Sequence, residues 1–199
     1  MNITAKIIIT DTNIITDLNN AKILNEFIEI ENVYISDMIK NDEINSKTGD
    51  VKIINKFKVI SATATQLMEV NNLSYKEKKL STYDLLNFVI ARDNNCILAT
   101  GDNRLKNYSE NNGVEVIRTL KIIKLMKENN IISCRKSIEA CNLLKQYPTT
   151  RIPVKDINNL INELEKDSAT IWIFFIKTYL FFFKFSITYS LSLAIVINK

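Results

Sequence analysis

The chain has 199 residues, enough for one folded domain and an additional segment. Of these residues 46% are hydrophobic and 24% charged, a composition typical of folded rather than disordered chains. It contains no histidine, which excludes Ser-His and Cys-His nucleophile pairs, imidazole bases and most zinc sites. Its three glycines are not spaced as in phosphate-binding or dinucleotide-binding loops, and its formal net charge of +4 permits a polyanionic partner without requiring one.

In chain order, short apolar runs and helical periodicity predict alternating strands and helices. The predicted order is a strand at 6–10, helices at 13–18 and 21–30, a strand at 33–36, a short helix at 38–43, a strand at 56–60, helices at 64–73 and 81–93, a strand at 96–100, a helix at 104–112, a strand at 114–117 and helices at 119–129, 137–145 and 154–165. Ser81 and Asp84 form a capping-box pattern, and Gly113 is placed to end a helix. This alternation is typical of βαβ units, so the predicted fold class is α/β with a central parallel sheet of about five strands.

The three cysteines, Cys96, Cys134 and Cys141, form no Cys-x-x-Cys pair and are odd in number. That usage fits a reducing compartment better than a disulfide framework, and it predicts packing residues. The apolar run before Asp11 is too short for a signal peptide, so a cytoplasmic location is expected.

The last thirty residues differ in composition from the rest of the chain. Residues 170–199 are strongly apolar, and no acidic residue follows Asp167. A helix over 178–197 would be about long enough to cross ~30 Å of hydrocarbon, with Lys184 near one end where its side chain could reach the interface. A membrane anchor, a helix or strand pair buried against a partner, and an unselected extension of the reading frame all remain open.

Acidic residues follow two apolar strands, and these strand ends are the candidate site. Asp11 and Asp102 end the strands at 6–10 and 96–100, while Glu43 and Asp84 lie on helices that could point toward the same edge. Four converging carboxylates need a cation to neutralise them, and oxygen-only ligands favour Mg²⁺ or Mn²⁺. The alternative is that each acid has only a local turn, capping or surface role.

The order and spacing of these residues resemble the PIN domain family, in particular its VapC-like toxin ribonucleases and their free-standing relatives. The resemblance rests on IIITDTNII at 7–15, VYISDMIKNDEI at 33–44, LSTYDLLNFVIARDNNCILATGDNRLKNYSENNGVEVIRTL at 80–120, KIIKLMKENNIIS at 121–133 and RIPVKDINNLINEL at 151–164. It implies a three-layer α/β/α fold. The domains expected from it are a PIN-like nuclease domain at 1–147, a helix packed on that domain at 148–167, and the apolar tail at 168–199.

The resemblance also implies the roles of the site residues. Asp11, Glu43, Asp84 and Asp102 correspond to the family's acidic quartet, which holds Mg²⁺ or Mn²⁺, with Glu69 and Asp42 as substitutes for Glu43. Asn13 and Thr100 correspond to polar residues that position the quartet and the substrate, and Arg104 lies beside them. Asn103 stands where the family often carries a further acid, which implies a weaker second metal site.

The activity implied by the resemblance is metal-dependent endonucleolytic cleavage of RNA. The expected partners are RNA, an antitoxin that occludes the acidic site with a basic side chain, a second copy of the chain, and a membrane if the tail at 170–199 contacts one. Arg92, Arg104, Lys106 and Lys79 flank the acidic edge and could contact RNA phosphates.

Two other functions remain open from the sequence. A PIN-like module that binds RNA or protein without turnover would keep the fold, although replacement of one of the four acids would then be expected. A phosphoryl-transfer enzyme that uses Asp11 as its nucleophile is the other alternative, but Asn13 stands where that chemistry expects a second acid.

Overall fold

A computed structural model of the chain describes residues 6–40, 55–147 and 150–167. Five strands form one parallel sheet in the order β3-β2-β1-β4-β5. The strands are β1 (Ile8–Thr10), β2 (Val33–Ser36), β3 (Lys58–Ile60), β4 (Ile97–Ala99) and β5 (Val116–Ile117). The predicted parallel sheet is therefore confirmed, with strands shorter than the apolar runs that predicted them.

Helices lie between successive strands along the chain and follow the last strand. They are α1 (Thr12–Asn20), α2 (Leu24–Ile28), α3 (Ala64–Lys76), α4 (Thr82–Asp93), α5 (Asn103–Asn111), α6 (Thr119–Glu128), α7 (Cys134–Gln146) and α8 at residues 154–167. Residues 37–40 are also helical. One group packs around α4, which contacts α3, α5, β1 and β4, and another around α1, which contacts α2, α6 and α7. The fold is the expected PIN-like α/β/α arrangement.

The core lies on both faces of the central strands. Ile8 and Ile9 of β1 and Ile97 and Leu98 of β4 have no solvent-exposed surface. A parallel sheet covered by helices on both faces buries every side chain of its inner strands, which explains why these strands are continuous apolar runs rather than alternating ones.

The strand order places a crevice at the carboxyl ends of the two central strands, β1 and β4. From β1 the chain moves outward through β2 to β3, and it then crosses to the other side of β1 to form β4 and β5. The connections leaving β1 and β4 therefore diverge to opposite sides, which leaves an open cleft beyond the carboxyl ends of these two neighbouring strands. Asp11 and Asp102 follow these strands.

Local capping signals are reproduced in the structure. Ser81 and Asp84 form the predicted capping box, and Gly113 has the left-handed φ of 79° that a helix-ending glycine adopts. Helix α7 begins three residues earlier than the predicted 137–145, because Ser133 caps it by accepting a hydrogen bond from Lys136 N at 3.1 Å. Cys96 and Cys141 are buried, as expected for packing residues.

The chain's contacts divide it into two units, residues 1–160 and 161–199. Within the described residues, no helix is long and apolar enough to span a membrane. The apolar tail at 168–199 lies outside these residues, so its membrane anchor stays a prediction. The predicted domain limits at 147 and 167 stay predictions as well.

We expect Leu98→Ala to lower the free energy of unfolding by about 2–5 kcal/mol, because it leaves a cavity in the fully buried central strand. The matched control is Leu67→Ala on α3, where the leucine is 42% exposed. Urea denaturation of both full-length variants would measure the difference. Equal losses would contradict the placement of Leu98 in the core.

Candidate active site

Asp11 is a buried carboxylate at the junction of β1 and α1. Its backbone N donates to Ala99 O of β4 at 3.0 Å, which fixes it between the two central strands. Its side chain caps α1, since Oδ1 accepts a hydrogen bond from Asn13 N at 2.9 Å. Only 5% of the surface of Asp11 is exposed. A carboxylate that follows a buried strand and caps the next helix is therefore almost completely removed from solvent.

Thr100 connects the two acids that follow the central strands. Its hydroxyl donates to Asp11 Oδ2 at 2.6 Å and accepts from Asp102 N at 3.1 Å. The amide of Asn13 donates to the same Asp11 Oδ2 at 3.3 Å. Asn13 and Thr100 therefore hold the Asp11 carboxylate in place.

Asp102 lies at the start of α5, beside Asn103 and Arg104. Its Oδ1 accepts hydrogen bonds from Arg104 N at 2.7 Å and Leu105 N at 3.1 Å, so it caps this helix. The other oxygen, Oδ2, lies 3.5 Å from Arg151 Nη1. A negative charge is favourable at a helix N-terminus, where unpaired backbone N–H groups point toward it.

Asp84 lies within electrostatic range of Asp11. Its Oδ2 accepts from Ser81 N at 2.9 Å in the capping box of α4. Burial raises the pKa of Asp11, and the hydrogen bonds from Thr100 and Asn13 lower it, while the negative charge of Asp84 raises it further. A buried carboxylate, Asp11, that is repelled by a half-buried one, Asp84, is an arrangement that a bound cation would stabilise.

The fourth predicted acid, Glu43, lies outside the described residues, as does its substitute Asp42. The other substitute, Glu69, forms a two-point ion pair with Arg92, both N–O distances being 2.7 Å. Arg92 is near the end of α4 opposite Asp84, about 12 Å away along the helix at 1.5 Å per residue. Glu69 thus joins α3 to α4, and Arg92 is already paired with acidic side chains rather than open to RNA phosphates.

The donor chemistry of the site fits a hard divalent cation. Asp11, Asp84 and Asp102 offer only oxygen ligands, the type that Mg²⁺ and Mn²⁺ prefer. Among the residues that the structure describes, no three acidic or cysteine side chains form a shared metal cluster. Asp84 and Asp102 each direct a carboxylate oxygen at backbone N–H groups of their own helix, and those groups compete with a metal for the oxygen.

A family model described as a PIN domain matches residues 7–166. The chain belongs to the PIN domain family. Its fold is therefore of a nuclease type, and the match covers both the strand ends with their acids and most of α8. The comparisons with curated proteins and with solved structures returned no match.

The structure adds residues to this PIN domain's site that the sequence analysis missed. Arg118, the residue before α6, donates to Asn103 Oδ1 at 2.8 Å and to Gly101 O at 3.0 Å. Arg151, which precedes α8, approaches Asp102. Neither has a local sequence signal, because each becomes part of the site only through the packing of distant segments.

We expect the stability of Asp11→Asn relative to the wild type to rise as the pH rises toward neutral. Because the pKa of Asp11 is raised on folding, the folded state holds this proton more tightly, and the wild type loses stability as the pH rises from about 4, near the ordinary carboxyl pKa, through the raised pKa. The variant lacks this loss. Urea unfolding in EDTA across that pH range would show an advantage for Asp11→Asn that grows with pH.

The control for this measurement is Glu110→Gln, which changes an exposed carboxylate on α5. Its stability difference from the wild type should be small. An Asp11→Asn difference that stays constant or shrinks toward neutral pH would contradict the burial argument.

Proposed function

We propose that this PIN domain is a Mg²⁺- or Mn²⁺-dependent endoribonuclease. The observation that carries the proposal is the Thr100 hydroxyl, which links Asp11 and Asp102 at the cleft between β1 and β4 while Asp84 acts electrostatically on Asp11. Acids concentrated at this point, in a chain without histidine, are suited to hydrolysis assisted by a cation rather than by an imidazole base.

Asp11 and Asp102 would be the principal ligands of the cation, with Asp84 and Glu43 binding or orienting water. When bound, the cation would lower the pKa of a water molecule and neutralise charge that develops on the phosphodiester. Thr100 and Asn13 position the Asp11 carboxylate through hydrogen bonds. Their role is to keep both of its oxygens in one orientation.

The RNA backbone would lie along the basic side of the cleft. Gly101, Asp102, Asn103, Arg104 and Arg151 line a depression at the start of α5. Arg104 and Arg151 are both exposed, so their guanidinium groups can reach phosphate oxygens. Contacts of this kind position RNA without reading its sequence, and their strength falls as the salt concentration rises.

The wider partners stay proposals that rest on the family resemblance. They are an antitoxin that covers the acidic cleft, a second copy of the chain, and a membrane in contact with the tail at 170–199. A cytoplasmic location for the nuclease domain is part of the same proposal.

We expect Asp11→Asn and Asp102→Asn each to lower the rate of RNA cleavage by at least about a hundredfold, the upper end of the loss seen when even an outer partner of a metal site is removed. The matched control is Glu110→Gln. Glu110 lies on α5, the helix that Asp102 caps, but it pairs with Lys106 and contacts none of the proposed ligands that the structure describes, so this variant should keep wild-type activity. Cleavage of a labelled single-stranded RNA would be compared among folded, full-length proteins. Wild-type rates in either Asp variant would rule out the proposed site.

We expect EDTA to abolish cleavage and excess Mg²⁺ or Mn²⁺ to restore it, because the carboxylates need a cation to stabilise the reacting phosphate. The same labelled RNA serves for this measurement. Cleavage that persists in EDTA would contradict the metal requirement. A folded wild-type protein that binds RNA but cleaves none with either metal would instead favour the catalytically inactive binding module.

A further inference from the structure

A second depression lies beside the acidic cleft, and the acids of the proposed nuclease site do not line it. Its volume is about 160 Å³. Leu120, Ile152 and Pro153 supply apolar wall. The charged groups in the lining are Asp17, Asp156, Arg118 and Arg151. Ligand pockets for drug-sized molecules measure about 300–1,000 Å³, so this pocket has room for one small flat group rather than for a cofactor.

The pocket and the acidic cleft share two residues. Gly101 and Arg151 line both, and Gly101 lies between Thr100 and Asp102 in the chain. A group held in the pocket is therefore next to the place where the phosphodiester would be cleaved. On an RNA substrate, the nearest flat group to a phosphate is the base of the adjoining nucleotide.

Asp17 gives the pocket a hydrogen-bond acceptor. Its Oδ2 accepts from the Thr119 hydroxyl at 2.7 Å, and its Oδ1 accepts from the Thr150 hydroxyl at 3.4 Å. A carboxylate oxygen has two lone pairs, so both oxygens can accept a further hydrogen bond from a ligand. The two hydroxyls fix the carboxylate in one orientation, which is what selective recognition requires.

Arg118 gives the pocket a positively charged donor. Its hydrogen bonds to Asn103 Oδ1 and Gly101 O use two N–H groups of a guanidinium that carries five. Burial raises the pKa of Asp17 above its ordinary value, although the two threonine hydroxyls and the charge of Arg118 act against that rise. The pocket therefore presents an acceptor pair and a donor between apolar surfaces.

We infer that this pocket binds one unstacked nucleobase of the RNA beside the cleaved phosphodiester, and that it favours guanine. Guanine offers two adjacent N–H donors, which match the two oxygens of Asp17, and its O6 is an acceptor that arginine commonly binds. Ile152 and Pro153 would cover the face of the base with apolar surface, in the place that an aromatic side chain commonly takes where proteins read single-stranded RNA. The inference rests on the proposed nuclease function for its substrate, but binding to the pocket can be measured without cleavage.

The first experiment measures binding of the four nucleoside 5′-monophosphates to the full-length protein in EDTA, with ribose 5-phosphate as the reference for phosphate binding alone. We expect the guanine nucleotide to bind best. Asp17→Asn should weaken its binding by about fivefold to a hundredfold, the usual discrimination of a good two-point base contact. Equal binding of all four nucleotides, or of ribose 5-phosphate, would overturn the inference.

A second pair of variants covers the case in which Asp17→Asn does not fold. Ile152→Ala removes part of the apolar wall and should weaken nucleotide binding. Val154→Ala shortens an aliphatic side chain two residues away that is 55% exposed and does not line the pocket, so binding should be unchanged. The same affinity in the Ile152 and Val154 variants would overturn the inference.

Cleavage of a random-sequence RNA separates this inference from the proposed function. We expect guanine to be enriched next to the cleaved bond in the wild type, and the enrichment to be lost in Ile152→Ala but kept in Val154→Ala. Cleavage without any base enrichment would overturn the pocket and leave the nuclease in place. With no cleavage at all, the nuclease proposal fails, and the nucleotide affinities alone decide the pocket.

Discussion

The hydrogen bond from the Thr100 hydroxyl to Asp11 Oδ2, at 2.6 Å, is the interaction on which the arrangement of the site depends. A buried carboxylate is costly unless hydrogen bonds replace the water that it has lost. Thr100 and Asn13 supply those bonds, and Thr100 can do so because β4 lies directly beside β1. The order of the strands thus makes a buried acid tolerable at this point, and the same contact brings Asp102 next to it.

Each of the three described acids also stabilises a helix, so local and functional roles coincide. Asp11 and Asp102 cap α1 and α5, and Asp84 completes the capping box of α4. Backbone N–H groups hold one oxygen of each carboxylate. Each carboxylate still keeps lone-pair capacity for another partner, because Asp11 Oδ1, Asp84 Oδ2 and Asp102 Oδ2 each accept only one hydrogen bond. Capping explains why these residues are aspartates at helix starts. It does not explain why Asp11 and Asp102 meet across Thr100, which follows from the pairing of β1 with β4.

The sequence predicts those features of this PIN domain that depend on neighbours in the chain. Apolar runs mark the strands, Ser81 with Asp84 marks the start of α4, and Gly113 marks a helix end. It does not predict contacts between distant segments. Thr119 lies 102 positions from Asp17, whose carboxylate it binds, and no local pattern announces such a pair. The strand ends indicated the acids of the site and the family resemblance supplied their roles, whereas the neighbouring pocket required the structure.

The three consecutive residues that follow β4 contact both the acidic cleft and the neighbouring pocket. Thr100 holds Asp11, the carbonyl of Gly101 accepts from Arg118, and Asp102 caps α5. Gly101 is not in the left-handed region, and a Cβ there would lie 3.4 Å from Asn13 Cβ, an ordinary contact. Its backbone therefore does not require glycine. What glycine provides is space beside Asn13. Under the proposed function, this space lies between the cleaved phosphate and the bound base.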